Sequence, residues 1–362
     1  MILKGKPVHD GFIMPAEFES HSGCYMLWPY RSDIWREAAV PAGRVFATVA
    51  NLISTSERVY MGIREQDRTI AKRYLSPQIT LINLAYNDAW MRDIGPTFLK
   101  NRKKRKIRAI DWNFNAWGGT MDGLYKDWKK DSLVCSKLFE KNNIDYYKPS
   151  VVLEGGAIHV DGKGTLIAVE ECVLNKNRNP ELNKQQMEIF FSEYLGIKKT
   201  IWLPKGVYND ETNGHVDNLC CFAPDGVVLL TWTDDESDPQ FEISQQAYDI
   251  LNNESDARGT ALKVDKIHQP GPFYMEVKEQ KGLEKGDAKN RHAGDRLAAS
   301  YINFYISNAS VILPVFDDFQ DTQAIEKIQG HFPKRSVIPV YSREILLGGG
   351  NIHCITQQIP KV

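Results

Sequence analysis

Glu154-Gly155-Gly156-Ala157-Ile158-His159-Val160-Asp161-Gly162-Lys163-Gly164-Thr165-Leu166-Ile167-Ala168-Val169 opens with a polar, glycine-containing segment and passes into an apolar strand over 157–160. A tight turn at 161–164 and a second strand over 165–169 complete it. The same order of parts recurs along the chain. Asn87–Asp93 leads into Ile94–Leu99. Asn213–Asn218 leads into Leu219–Phe222, a turn at Pro224-Asp225-Gly226 and Val227–Trp232. Ala298–Ile306 is followed by the turn Ser307-Asn308 and Ala309–Val315, and Gly348–Cys354 runs into Ile355. Between these copies lie helical spacings at Ala42–Ser54, Gln66–Tyr74, Asp131–Asn142, Pro180–Leu195, Ser244–Asn252 and Thr322–Ile328, with Pro180 suited to a first helical turn and Gly196 to a position just past an end. A unit of two strands and a helix, repeated about five times at intervals of roughly 60 residues, predicts an α/β fold of modules around one axis. Their polar openings then converge on one centre, within a single domain spanning 1–362.

Composition narrows the function. Net charge is −1 with 25% charged and 42% hydrophobic residues, so no overall field draws the chain to nucleic acid or membrane, and a small-molecule partner is expected. No apolar run approaches the ~20 residues of a membrane span, and Met1-Ile2-Leu3-Lys4-Gly5-Lys6 lacks a signal-peptide core; a cytoplasmic location is expected. The six cysteines (Cys24, Cys135, Cys172, Cys220, Cys221, Cys354) are dispersed, two of them adjacent. Neither a disulfide framework nor zinc spacing is present, so reduced, metal-free thiols are expected. The basic run Asn101–Arg108 has the character of a solvated hairpin tip, and Glu279–Arg296 that of a long loop, either mobile or a lid.

Residues that carry chemistry fall at matching places in the modules: Asp93 in the first, Glu154 in the second, His215 and Asp217 in the third, Cys354 in the last. Cys354 follows the triplet Gly348-Gly349-Gly350, which allows close backbone approach to a ligand. Taken singly, each has a bland explanation: a small buried hydrophobe for Cys354, a turn residue for Asp93, a satisfied loop histidine for His215. Taken jointly, at one centre, they point to catalysis. His215 and Asp217, two apart in an extended segment, are expected to share a face. Carboxylates raise a neighbouring thiol's pKa unless a cation offsets them, so the substrate is expected to be cationic. A planar guanidinium held by paired bonds from Asp93 and Asp217 meets that requirement, whereas a papain-type site requires an oxyanion hole instead.

Asp10–Glu19, Met26–Pro29, Asn87–Pro96, Asp111–Gly119, Leu153–Gly156, Glu211–Asp217, Arg296–Tyr301 and Gly348–Gln358 together resemble the agmatine deiminases, within the guanidine-modifying superfamily that includes the bacterial peptidylarginine deiminases. The resemblance spans nearly the whole chain. It implies a five-bladed, pseudo-symmetric α/β propeller (pentein), a single catalytic domain, and hydrolysis of agmatine to N-carbamoylputrescine and ammonia with no cofactor and no metal. Position by position it places the catalytic cysteine at Cys354, the histidine at His215, the guanidinium-binding aspartates at Asp93 and Asp217, and the glutamate at Glu154. A homo-oligomer is a family-level expectation. For the far end of agmatine, Glu211 and Asp210 are candidates to take the ammonium and Trp90 and Trp117 to line the butyl chain, with Gly349 and Asn351 helping to shape the site. The runs Lys103–Lys106 and Lys278–Arg291 lie outside the family pattern. Rival expectations are a deiminase of arginine, peptidylarginine or another guanidine, and a non-enzymatic polyamine- or guanidine-binding protein.

Overall fold

The computed structural model describes residues 1–362. Its strands form five sheets of one pattern: an antiparallel pair, a helical crossover, then a strand parallel to the second of the pair. Thr97–Asn101 pairs antiparallel with Lys106–Ile110, which runs parallel to Tyr146–Tyr147. Ile158–Val160, Thr165–Val169 and Lys199–Leu203 repeat this, as do Cys220–Ala223, Val227–Trp232 and Lys263–His268. Tyr305–Ile306, Ser310–Val315 and Ser336–Tyr341 form the next copy. In the remaining sheet His21–Leu27 is followed by parallel strands Arg58–Ile63 and Thr80–Asn83, and its antiparallel partner is Thr356–Pro360 from the opposite end of the chain. A two-stranded ribbon, Phe273–Tyr274 with Arg296–Leu297, stands outside the pattern.

Helices Val40–Ile53, Val134–Asn142, Lys184–Phe190, Gln240–Asn252 and Asp321–His331 make the crossovers, because parallel neighbours cannot be joined by a tight turn. Val40–Ile53 buries Ala42, Gly43, Phe46, Ala47, Val49, Ala50 and Ile53. That spacing packs one stripe on the sheet and leaves Arg44 and Thr48 exposed. Burying Phe46 completely contributes about 1.5–3 kcal/mol. No helix is long and apolar enough to cross a membrane.

Several expectations from the sequence shift in detail. The helix predicted from Pro180 begins at Lys184, where the Asn183 side chain accepts from Gln186 N at 3.0 Å and the Gln186 side chain accepts from Asn183 N at 2.9 Å. This reciprocal cap outweighs proline's preference for a first turn. Gly196 ends the helical segment at φ +76. The segments before two sheets are helical turns, Met91–Ile94 and Val216–Leu219, so strand begins only at Thr97 and Cys220. Of Ala298–Ile306 only Tyr305–Ile306 is strand. Arg102–Arg105 forms the exposed tip of a hairpin, as expected of the basic run.

Candidate active site

The polar openings of the sheets meet. Asp93 lies in the turn Met91–Ile94, Glu154 precedes the turn Gly155–Ala157, His215 heads the turn Val216–Leu219 with Asp217 inside it, and Cys354 sits between Gly350 and the strand Thr356–Pro360. All five are buried. His215 Nδ1 is 3.7 Å from Asp93 Oδ2, His215 Nε2 is 4.0 Å from Glu154 Oε2, and Cys354 Sγ is 3.5 Å from Asp217 Oδ2. His215 and Asp217 do converge, but through a helical turn rather than the extended segment expected. A four-residue turn carries too few residues to show a period.

Gly156 makes this convergence possible. A Cβ there would stand 2.5 Å from His215 Nδ1, 2.9 Å from Asp217 Oδ2 and 3.0 Å from Asp93 Oδ1. Its N–H instead donates to Asp93 Oδ1 at 2.9 Å, while the Trp117 indole donates to Asp93 Oδ2 at 2.9 Å. Gly350 does the same for the thiol: a Cβ would lie 2.7 Å from the Trp90 ring and 3.1 Å from Cys354 Sγ.

Electrostatics follow from burial and these neighbours. Burial pushes the Cys354 thiol well above its ordinary pKa, and the Asp217 and Asp93 carboxylates push it further. Burial opposes protonation of His215, but Asp93, Cys172 and Asp217 overcome it and raise the imidazole well above its usual value. Asp93 is raised by burial against the pull of His215, whereas Asp217, despite burial, is lowered by its bond to His353. By itself the centre therefore favours a thiol beside an imidazolium, with net negative charge on the side that faces them.

Trp90, Asp93, Trp117, His215, Gly349 and Cys354 all border one small inner cavity of about 20 Å³. A cavity of about 500 Å³ opens beyond it, bordered by Asp210, Glu211, Arg291 and Gly349. Both tryptophans thus line the inner site, and Trp117 also ties down Asp93. Glu211 reaches the outer cavity, but its carboxylate holds Arg291, whose Nε lies 3.2 Å from both oxygens. Asp210 also borders the outer cavity, its oxygens accepting from Thr212 N at 2.9 Å, Thr212 Oγ1 at 2.7 Å and Asn218 Nδ2 at 2.9 Å. Asn351 is buried, its Oδ1 accepting from Ile352 N, while its backbone hydrogen-bonds the Cys354 thiol and favours the thiolate. The Glu279–Arg296 segment is tied to its surroundings, with Arg291 also donating to Gly348 O at 2.8 Å and Arg343 gripping Glu279.

Three supporting residues are not apparent from the sequence. Arg178 donates to Glu154 Oε1 at 2.6 Å and to Trp117 O, Asn177, Asn213 and Thr212 O. Asn303 donates to Cys354 Sγ at 3.2 Å and to Asn218 Oδ1. His353 bonds Asp217 and Glu17. The segment Asn175–Pro180 around Arg178, with its run of amides, is the one available signal. Donor atoms of Glu154, Cys172 and His215 lie within 4.8 Å of one another, a set that suits a soft cation. Arg178 already neutralises Glu154, however, and a dication there would stand against its guanidinium, so these residues do not fit a resident metal.

A family model for the Porphyromonas-type peptidyl-arginine deiminases matches residues 13–360. The chain is 52% identical over 358 residues to the "Putative agmatine deiminase" of Mycoplasma capricolum, covering 99% of this chain and 98% of that protein. It is 50% identical over 360 residues to the protein of the same description from Latilactobacillus sakei, covering 99% and 98%. Among solved structures, the agmatine deiminase of Enterococcus faecalis superimposes with a TM-score of 0.96 at 41% identity over 99% of both chains. The C. jejuni agmatine deiminase with substrate bound gives 0.84 at 25% identity over 97% and 96%. By sequence and by fold, the chain belongs to the Porphyromonas-type peptidyl-arginine deiminase family, together with these agmatine deiminases.

Proposed function

We propose that this protein is an agmatine deiminase: a cysteine-dependent hydrolase that converts agmatine and water to N-carbamoylputrescine and ammonia through a covalent thiouronium intermediate. The observation that carries this is the buried thiol of Cys354 flanked by Asp93, Asp217 and the His215 imidazole, in a chain about half identical to its agmatine deiminase relatives. A guanidinium bound by Asp93 and Asp217 supplies the positive charge that the centre by itself lacks, and so favours the Cys354 thiolate. The thiolate attacks the guanidinium carbon, and His215 as imidazolium gives its proton to the departing ammonia. Neutral His215 then takes a proton from water as the resulting hydroxide attacks; the C–S bond breaks, the remaining hydroxyl proton passes through solvent to the released ammonia as ammonium, and the neutral ureido product leaves with the thiolate restored. Glu154, fixed by Arg178, steadies the Nε2 side of His215 through this exchange.

The five like-patterned sheets, closed by pairing of the last strand with the first sheet, support a five-bladed pentein propeller in a single catalytic domain. Glu211, at the outer cavity, would take the distal ammonium if Arg291 moved aside, and Trp90 and Trp117, on the inner cavity, would flank the butyl chain. One observation favours arginine as substrate instead: the Arg291 guanidinium at the outer end suits an α-carboxylate. Its pairing with Glu211 removes that net charge, and agmatine remains the better fit. Acid-quenched mass spectrometry of wild type and Cys354→Ala during incubation with agmatine, alongside ammonia release, tests the assignment. An adduct on wild type alone, with ureido product, is expected; equal turnover of arginine, or ammonia release by Cys354→Ala, overturns it.

A further inference from the structure

We propose that His353, adjacent to the nucleophile, is a positioning residue: it bridges Glu17 and Asp217 as a doubly protonated ring and so keeps Asp217 ionised and oriented for a cation. This inference rests on the deiminase reading above and extends it to a residue outside the catalytic set. The ring is buried and its two nitrogens both face carboxylates. Nδ1 is 2.8 Å from Asp217 Oδ2, and Nε2 is 2.9 Å from Glu17 Oε2 and 3.1 Å from Glu17 Oε1. A neutral imidazole has one N–H and would turn a lone pair toward one of those carboxylates; only the imidazolium donates to both.

The surroundings enforce this arrangement. Arg92 donates to Glu17 Oε1 at 3.0 Å and to the His353 carbonyl at 3.4 Å, and His159 Nε2 lies 3.6 Å from Glu17 Oε2. Asn303 Oδ1 accepts from His353 N at 3.0 Å. His215, Asp93 and Cys354 also lie within the field of Asp217, and the Cys221 thiol within that of Glu17 and Asp217. Burial and Arg92 work against a charged ring at His353, and Glu17 and Asp217 outweigh them, so its pKa is raised. The bond to His353 is in turn the chief cause that lowers Asp217 against its burial.

Two consequences separate His353 from His215. Both nitrogens of His353 are engaged, so it has no proton to exchange with substrate, whereas His215 makes no close hydrogen bond to a carboxylate, lying 3.7 Å from Asp93 and 4.0 Å from Glu154. Oδ2 of Asp217, held by His353, is also the oxygen 3.5 Å from Cys354 Sγ, while Oδ1 is buried without a partner.

The test compares wild type with His353→Gln, full-length in both cases. Gln retains a donor but no charge. Loss of the cation lets the Asp217 pKa rise, so the acid limb of kcat/KM should move to higher pH, and KM for agmatine should rise about tenfold or more while kcat falls less. A residue that merely filled space would lower thermal stability and leave that limb in place, which overturns the proposal. Independently of turnover, ¹⁵N NMR of the wild-type histidine rings should show both nitrogens of His353 protonated at pH 7. A neutral ring there also overturns it. Glu17→Gln should lower the His353 pKa in the same spectra, a readout that survives if His353→Gln fails to fold. Absence of any guanidine hydrolysis by wild type would refute the deiminase assignment, whereas the protonation of His353 would still be decided by the NMR spectra.

Discussion

Gly156 shows how little room the centre leaves. Three site side chains occupy the space a Cβ would need, and none is the free end of a flexible chain, since His215, Asp217 and Asp93 are all buried and held. Gly156→Ala should therefore displace the imidazole from its carboxylates. We expect kcat/KM to fall by about 100-fold or more, a loss of roughly 3 kcal/mol of transition-state stabilisation, with far-UV circular dichroism unchanged. Ammonia release within tenfold of wild type would show that the ring does not need this position. At this scale the sequence is informative where residue type and motif coincide: Asp93, Glu154, His215, Asp217 and Cys354 stand in segments whose openings repeat. Arg178, Asn303 and His353 are not legible there, because what makes them matter is a partner far away in sequence. His353 meets Glu17 across 336 residues, and Asn303 meets Cys354 across 51. No local pattern encodes such a meeting. Asp210 shows the opposite case, a carboxylate whose Oδ1 is engaged locally by Thr212 two residues on.

Among the elements, the segment that follows Val277–Lys281 has the most to say about function. Arg291 crosses from it to Glu211 and to the Gly348 carbonyl, between the outer cavity and the inner one. A distal ammonium that binds Glu211 has to displace this guanidinium. Arg291→Ala should then lower KM for agmatine several-fold with kcat within about threefold, because a partly buried competing ion pair of roughly 1–2 kcal/mol is removed. A raised KM would show instead that Arg291 holds the cover in place over bound substrate. Sequence alone leaves this segment between a mobile loop and a lid, since charge and glycine describe either; the contacts made by Arg343 and Arg291 tie it to the rest of the chain, and they are not visible in composition. Strands announced by unbroken apolar runs, such as Thr165–Val169, lie within a residue or so of where the sequence puts them. The third strands, such as Lys263–His268, are not announced, because a half-exposed edge of alternating charge lacks that signal.

At the scale of the whole molecule, the repeated opening–strand–turn–strand pattern reveals the modules, while the closing contact, Thr356–Pro360 on His21–Leu27, joins segments that only the folded chain brings together. Glu17 is the clearest sign of how the modules are locked together. It lies ahead of the first sheet and binds Arg92 from the turn leading to the second, His159 from the third, and His353 from the segment that leads into Thr356–Pro360 at the far end of the chain. Burial opposes its charge, yet Arg92, His353 and His159 hold its pKa well below the ordinary glutamate value. A depressed carboxylate contributes stability that is fully present above its unfolded pKa, near 4.3, and is lost as pH falls through the folded value. Glu17→Gln leaves Arg92 and the His353 ring buried without their counter-charge, and breaking such a pair costs about 3–5 kcal/mol. Urea titration at pH 7 should show that loss relative to wild type. As pH falls below about 4 the gap should narrow, because wild-type Glu17 itself becomes protonated and surrenders the same interaction. A difference that stayed constant down to the acid limit of folding would mean that Glu17 acts through packing, and that its charge does not bind the modules together.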